Sequence, residues 1–217
     1  RGLGDVYKRQ DLYFVSEVPS GQKSKLVLPD GTMVWLNGGS TLKYPNNFSD
    51  KKRNVVLDGE GYFEVTSRNG VPFTVSTSAY DIIVKGTKFN VCAYDIDATS
   101  LTSLIEGKIE IDYKDELYEV SPGEGVCINK NKGTVESFRS DVDDSNAWID
   151  GRIEYEKITL ADFAAKLSRK YGVEVCIENN EIKCHTFRIS LKNNETLVQV
   201  LDGLQLIIPF EYTIDKD

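Results

Sequence analysis

One histidine, His185, directly follows Cys184, and three further cysteines stand at Cys92, Cys127 and Cys176. Nucleophilic catalysis by a Ser-His-Asp or Cys-His set would have to use that imidazole. A polar loop surrounds it, and it reads as a solvent-exposed loop histidine. Cys176, Cys184 and His185 are too few for a closed zinc site and follow no usual ligand spacing. The thiols read as free and buried, behaving as small hydrophobes, with a Cys176–Cys184 bridge across a hairpin-like loop as the alternative. Glu60 and Glu64 share a strand and Glu124 sits in a turn, but acid-base catalysis on a glycoside needs two carboxylates at a set separation across a cleft. With 34 acidic residues in the chain, chance pairs are unavoidable and solvated faces are the simpler reading. Asp141, Asp143 and Asp144 lack the glycine and distal glutamate of a calcium loop. Gly59-Glu60-Gly61 precedes a strand rather than a helix, and no GxxxxGKS/T occurs, so no phosphate cradle is expected. Trp35, Tyr44, Tyr62 and Phe63 read as core aromatics, with a sugar-stacking platform as the alternative. No catalytic residue, cofactor or metal is expected, and no enzymatic activity.

The elements that carry these residues fall into two kinds. Over residues 24–140 the pattern is β. Val55 and Leu57 alternate with polar neighbours, Phe63 and Val65 oppose Tyr62 and Glu64, and Ile109, Ile111 and Tyr113 oppose Glu110 and Asp112. Period-two alternation marks strands with one buried face. Turn signals recur at Asp58-Gly59, Asn69-Gly70, Glu106-Gly107, Pro122-Gly123 and Lys132-Gly133, each glycine able to take positive φ. The expectation is an all-β sandwich or solenoid-like domain over 24–140. Residues 1–10 read as adapter-like, non-native sequence, and 11–23 as a linker.

Residues 141–150, acidic and turn-rich, read as a second linker. Helical spacing then begins: Thr159 is a natural N-cap, Leu160, Phe163, Ala164, Leu167 and Tyr171 share a face, and Gly172 stands where a helix ends. VEVCI, residues 173–177, reads as a strand, and Phe187 to Leu191 as another. A second helix, capped at Asn194 and stopped by Pro209, presents Leu197, Val200, Leu201 and Leu204. Phe210 to Ile214 closes as a strand. The whole of 151–217 is expected to be a two-layer α+β lobe, β-α-β twice. The chain as a whole is therefore mainly β plus α+β.

Charge narrows the partners. The net charge is −8, both parts are acidic on balance, and nucleic acid and anionic membranes are poor partners. No apolar run approaches the roughly 20 residues that span a bilayer.

LPDGTMVWLNGGSTLKYP at 28–45 and LDGEGYFEV at 57–65, in that order, resemble the first signature and the glycine-and-aromatic strand of the FecR family of anti-sigma regulators. PFTVSTSAYDIIVKGTKFNVCAY at 72–94 keeps the Gly-Thr-x-Phe-Asn-Val core, and LIEGKIEI and SPGEGVCI follow in place. WIDGRIEYEKITLADFAAKLSRKYGVEV at 148–175 resembles the join into the C-terminal lobe, which SLKNNETLVQVLDGL and a closing strand complete. The resemblance covers about residues 25–214 and is of the Bacteroidota type. That C-terminal lobe is similar to the short domain at the N-terminus of secretins and TonB-dependent transducers.

The resemblance implies signal relay. An outer-membrane TonB-dependent transducer contacts the periplasmic part of a single-pass inner-membrane protein through its signalling domain. That protein controls an extracytoplasmic-function sigma factor through a cytoplasmic segment. Neither that segment nor the membrane span is among these residues, so the chain is expected to be the periplasmic part, with the sigma factor reached only through the missing segment. The transducer contact is expected at an exposed strand edge of the second lobe, with Phe187, Arg188, Ile189, Ser190, Leu191, Phe210, Tyr212 and Ile214 as the partner-binding residues. A carbohydrate-binding β module is the alternative function, and a glycosidase using Glu60 and Glu64 the third.

Overall fold

The computed structural model describes residues 12–215; the adapter-like reading of 1–10 falls outside them. Thirteen strands form one sheet that curls on itself: β1 (Tyr13–Glu17), β2 (Ser24–Val27), β3 (Met33–Leu36), β4 (Thr41–Pro45), β5 (Arg53–Glu64), β6 (Phe73–Ser76), β7 (Asp81–Val84), β8 (Lys88–Ala93), β9 (Thr99–Glu106), β10 (Ile109–Tyr113), β11 (Glu116–Val120), β12 (Glu124–Asn129) and β13 (Thr134–Arg139). The order is β11-β10-β7-β6-β5-β8-β9-β12-β13, with β4 and β3 also paired to β5, β1 to β4 and β2 to β3.

The long strand β5 makes the curl. Its first half pairs with β4 and β6, its second half with β3 and β8. Gly59 stands at the crossing with φ +126°, and a Cβ there would lie 2.6 Å or less from Ser40. Only glycine combines that dihedral with so close an approach. The Asp58-Gly59 turn signal is therefore a bend inside a 12-residue strand, because the flanking residues keep ladder partners on both sides.

The two halves face each other across one core. Val34, Leu36, Leu42, Leu57, Phe63, Phe73, Phe89, Ile82, Leu104, Ile109 and Ile111 are all at most 1% exposed. The alternation in the sequence places each of them: Val55 and Leu57 point inward, and so do Ile109, Ile111 and Tyr113. Tyr13–Glu17, within the stretch expected to be a linker, is a strand because β4 leaves it a backbone partner.

After β13, a helical turn α1 (Val142–Ser145) and a 3-10 turn (Ala147–Asp150) lead to the second lobe. It holds β14 (Ile153–Thr159), α2 (Leu160–Tyr171), β15 (Thr186–Leu191) and α3 (Leu197–Gln205) around a separate apolar cluster that includes Phe163, Leu167, Phe187 and Leu204. Thr159 caps α2 as expected, its hydroxyl accepting from the Asp162 amide at 3.1 Å. Gly172 ends that helix in the left-handed region at φ +69°. The second helix is capped by Thr196 and not by Asn194: Thr196 and Gln199 form a reciprocal capping box that satisfies two end amides at once.

Two expected strands are absent. Residues 173–177 and 210–215 form no ladder. The alternation in VEVCI is real, since Val175 and Ile177 pack against the lobe's core, but packing replaces pairing there, and the Val175 amide donates to Ser168 Oγ at 3.0 Å. Phe210 to Ile214 is held by side chains: Gln205 Nε2 donates to the Phe210 carbonyl at 2.7 Å and Tyr212 Oη to Asp202 at 2.7 Å. The lobe's sheet is thus the antiparallel pair β14-β15.

Candidate functional site

The opening signature, LPDGT, turns out to be a structural anchor. Asp30 accepts from the Thr32 amide and hydroxyl and from Arg53 Nη1 at 2.9 Å. Arg53 is fully buried, the same Nη1 donating also to the Thr66 carbonyl and Nη2 to the Val71 carbonyl, with Phe73 beneath the guanidinium at 5.5 Å. The turn therefore carries a dry ion pair that ties β5 to the loops on either side.

The aromatics split. Phe63 is in the core, stacked on Phe89 at 5.1 Å. Trp35 is not: it stands half-exposed on the outer face, edge-on to Tyr62 at 5.4 Å, with Lys25 Nζ 4.4 Å over its ring. That lysine covers a face that a sugar would need. Emptying the two sites should differ accordingly. Phe63→Ala is expected to cost about 3–5 kcal/mol and Trp35→Ala about 1–2 kcal/mol, as thermal or urea melts of the two variants would show.

Glu60 and Glu64 lie on the same face of β5. Four residues of strand separate their Cα atoms by roughly 13 Å, and each carboxylate accepts from a neighbouring side chain. Glu60 is 6% exposed and accepts from the Asn37 and Asn90 amides at 2.8 and 3.2 Å; Glu64 accepts from Tyr62 Oη. Burial, and then Glu64, pushes the Tyr62 phenol up to about 12. His185 is exposed, as are Cys176 and Cys184, and all four cysteines are free. Cys92 alone is buried; burial pushes its thiol up to about 12. The expectation of buried thiols fails for Cys176 and Cys184 because their segment has no strand partner and lies on the lobe's surface. Among the described residues no group of three or more metal-ligating side chains is placed to hold an ion.

What sequence reasoning missed is the seam between the lobes. Arg169, near the end of α2, reaches the β8–β9 loop. Its two terminal nitrogens fork onto Asp97 at 2.9 and 2.5 Å, and its guanidinium lies 3.6 Å from the centroid of the Tyr94 ring. Tyr94 Oη in turn donates to the Gly38 carbonyl at 2.8 Å. The Arg169 carbonyl accepts from the Gly21 amide, and a Cβ on Gly38 would stand 2.7 Å from that carbonyl. So the first glycine of Asn37-Gly38-Gly39 is where the lobes touch backbone to backbone, and Gly38 is needed for that approach. A second contact comes from the 3-10 turn: Trp148 Nε1 donates to Asn90 Oδ1 at 2.9 Å, and Asn90 donates to Glu60. The stretch 141–150, expected as a linker, is a docked strap.

The expected partner-binding residues divide as well. In β15, Phe187 and Leu191 are buried and Ile189 half-buried, while Arg188 and Ser190 face solvent. Both outward residues pair across to β14, Arg188 to Glu156 at 2.8 Å and Ser190 to Glu154 at 2.7 Å. Among the described residues β15 pairs with β14 and with no second strand, so one edge is open. Phe210 and Tyr212 are half-buried and Ile214 is exposed, in the segment without a ladder.

Fold and seam together define a two-lobed module, a curled β domain with a small α+β lobe joined to it by side-chain and backbone contacts. The FecR protein family model matches residues 15–110, and the model for the FecR C-terminal region matches residues 152–217. The chain belongs to the FecR family. Two crystal structures of candidate anti-sigma factors from Parabacteroides distasonis are similar to it. One aligns at TM-score 0.90 with 29% identity over 94% of this chain and 96% of that one. The other aligns at 0.89 with 28% identity over 94% and 95%. No curated protein matches the sequence.

Proposed function

We propose that this chain is the signal-receiving part of an anti-sigma regulator, working in the periplasm. In this reading the second lobe takes the signal from the signalling domain of a TonB-dependent outer-membrane transducer. The intact protein crosses the inner membrane once and controls an extracytoplasmic-function sigma factor from the other side. Membership of the FecR family and the likeness to candidate anti-sigma factors support the regulatory role.

The observation that carries the docking assignment is the open edge of β15. A strand paired on one side presents unpaired amides and carbonyls, to which an extended partner segment can add. Backbone bonds then give affinity, and the outward residues Arg188 and Ser190 give selectivity. The same lobe exposes Leu206, Ile207 and Ile214, apolar area that a partner would cover. Arg188→Glu combined with Tyr212→Ala is expected to weaken transducer-domain binding at least tenfold while the melt stays within a few degrees of the parent. Unchanged affinity in the folded double variant would move the contact elsewhere.

A further inference from the structure

Between the outer face of β8, β9 and β12 and the second lobe lies an open cavity of about 950 Å³, a volume in the range of small-molecule sites. Trp148, Tyr155, Phe138 and Leu101 supply apolar wall. Three ammonium groups line one end. Lys166 and Lys170 stand one turn apart on α2, and Lys23 comes from the segment before β2. Lys23 Nζ donates to the Ile149 carbonyl at 3.2 Å and Lys170 Nζ to the Gly151 carbonyl, so the two straddle the same 3-10 turn. Lys166 Nζ lies 3.9 Å from Cys92 Sγ and 4.9 Å from the centroid of the Tyr155 ring.

Among the described residues none of the three has a carboxylate within 4 Å, whereas Arg169 beside them is matched by Asp97. Partly buried cations are ordinarily paired. Burial, and then the neighbouring Lys170, lowers the basicity of Lys23; burial also lowers that of Lys170. Acids lie nearby: Glu60 and Asp150 act on Lys23 through space, Glu60 on Lys166 and Glu195 on Lys170, and Glu136, Glu154 and Glu156 line the same cavity. None of them is in ion-pair contact with the three ammoniums, and Glu60 has its oxygens taken by two amide donors. An anionic head is the group that three adjacent ammoniums can hold in direct contact, and the aromatic walls call for an apolar body behind it.

We propose that this inter-lobe cavity is a binding site for a small organic anion. Its acidic head sits among Lys23, Lys166 and Lys170, and its apolar body lies against Trp148 and Tyr155. A molecule seated there touches both lobes and the strap between them, so occupancy would also stiffen the seam. The site is separate from the β15 edge and does not depend on the transducer reading.

The test uses the whole chain and two matched probes: 8-anilinonaphthalene-1-sulfonate, an anion on an aromatic body, and the neutral N-phenyl-1-naphthylamine. Each is titrated by fluorescence against the parent and against Lys166→Met and Lys170→Met. The sulfonate is expected to saturate one site, at least tenfold tighter than the neutral amine. Each lysine variant should weaken the sulfonate about tenfold and leave the neutral probe unchanged. Lys170 is less deeply buried than Lys166, so its variant keeps the test decisive if Lys166→Met melts early. Equal affinity for the two probes, sulfonate binding indifferent to both lysines, or no saturable sulfonate signal would each overturn the proposal.

Discussion

Asp30→Ala is expected to lower the unfolding free energy by about 3–5 kcal/mol, the usual effect of removing one partner of a buried ion pair. The two side chains are both 0% exposed. Without Asp30, Arg53 keeps two carbonyl acceptors but loses its counter-charge in a place that water does not reach. The Thr32 amide and hydroxyl lose their acceptor as well. For a chain of this size, that corresponds to roughly 10 °C in Tm. The surface pair Arg68–Asp50, with 38% and 95% of its side chains exposed, is the control: Asp50→Ala should cost less than about 1 kcal/mol. Replacing both buried partners, Asp30→Leu with Arg53→Met, should recover part of the loss, since no charge is then stranded. Urea unfolding of the four proteins decides the matter. An Asp30→Ala midpoint within about 1 kcal/mol of the parent would mean that the pair is hydrated and the anchor reading is wrong.

Arg169→Met is expected to loosen the second lobe rather than to unfold it. Arg169 and Asp97 are 13% and 21% exposed at their side chains, and the arginine also stacks on Tyr94. Losing a forked, half-dry contact of this kind should cost roughly 2–4 kcal/mol of docking energy. The two apolar cores are separate clusters, so each lobe should survive the loss. Amide exchange should rise at Gly21, whose N–H donates to the Arg169 carbonyl, and along the strap at 141–150, while β5 and β8 stay protected. Arg169→Lys should not rescue docking, because an ammonium can neither fork onto a carboxylate nor stack flat on a ring. Exchange unchanged across the seam would show that the backbone contact at Gly38 and the Trp148 strap hold the lobes without it.

The β lobe was legible because burial there is one-sided. Where one face of a strand is dry, alternation must appear in the residues, and Val55, Leu57, Ile109 and Ile111 all point as their spacing requires. The helices were legible for the same reason at a different period, down to Thr159 and Gly172. What escaped is pairing and contact at a distance. VEVCI alternates as a strand would, yet nothing in those five residues says whether a neighbour exists to pair with. Gly59 looks like a turn in isolation because its role, a crossing against Ser40, is fixed by a residue 19 positions away. Trp35 was expected inside on the strength of its size, but the period of β3 puts Val34 and Leu36 inward and Trp35 out.

The seam was the least visible part. Arg169, Asp97, Tyr94 and Trp148 are scattered between positions 94 and 169 and form no motif. The faint signal was the pair of glycines at 38 and 39, one more than a turn requires, and Gly38 is the place where α2 meets the β lobe. The family resemblance supplied the relay role that spacing alone did not.

The central claim is that the second lobe receives a signal by direct contact with a partner domain. Titration calorimetry of the whole chain against the isolated signalling domain of a candidate cognate transducer tests it most directly. The account predicts saturable one-to-one heat at micromolar affinity or tighter. No heat with both proteins folded, together with saturable binding of a glycan by the β lobe, would contradict it and replace the relay with a carbohydrate-binding module.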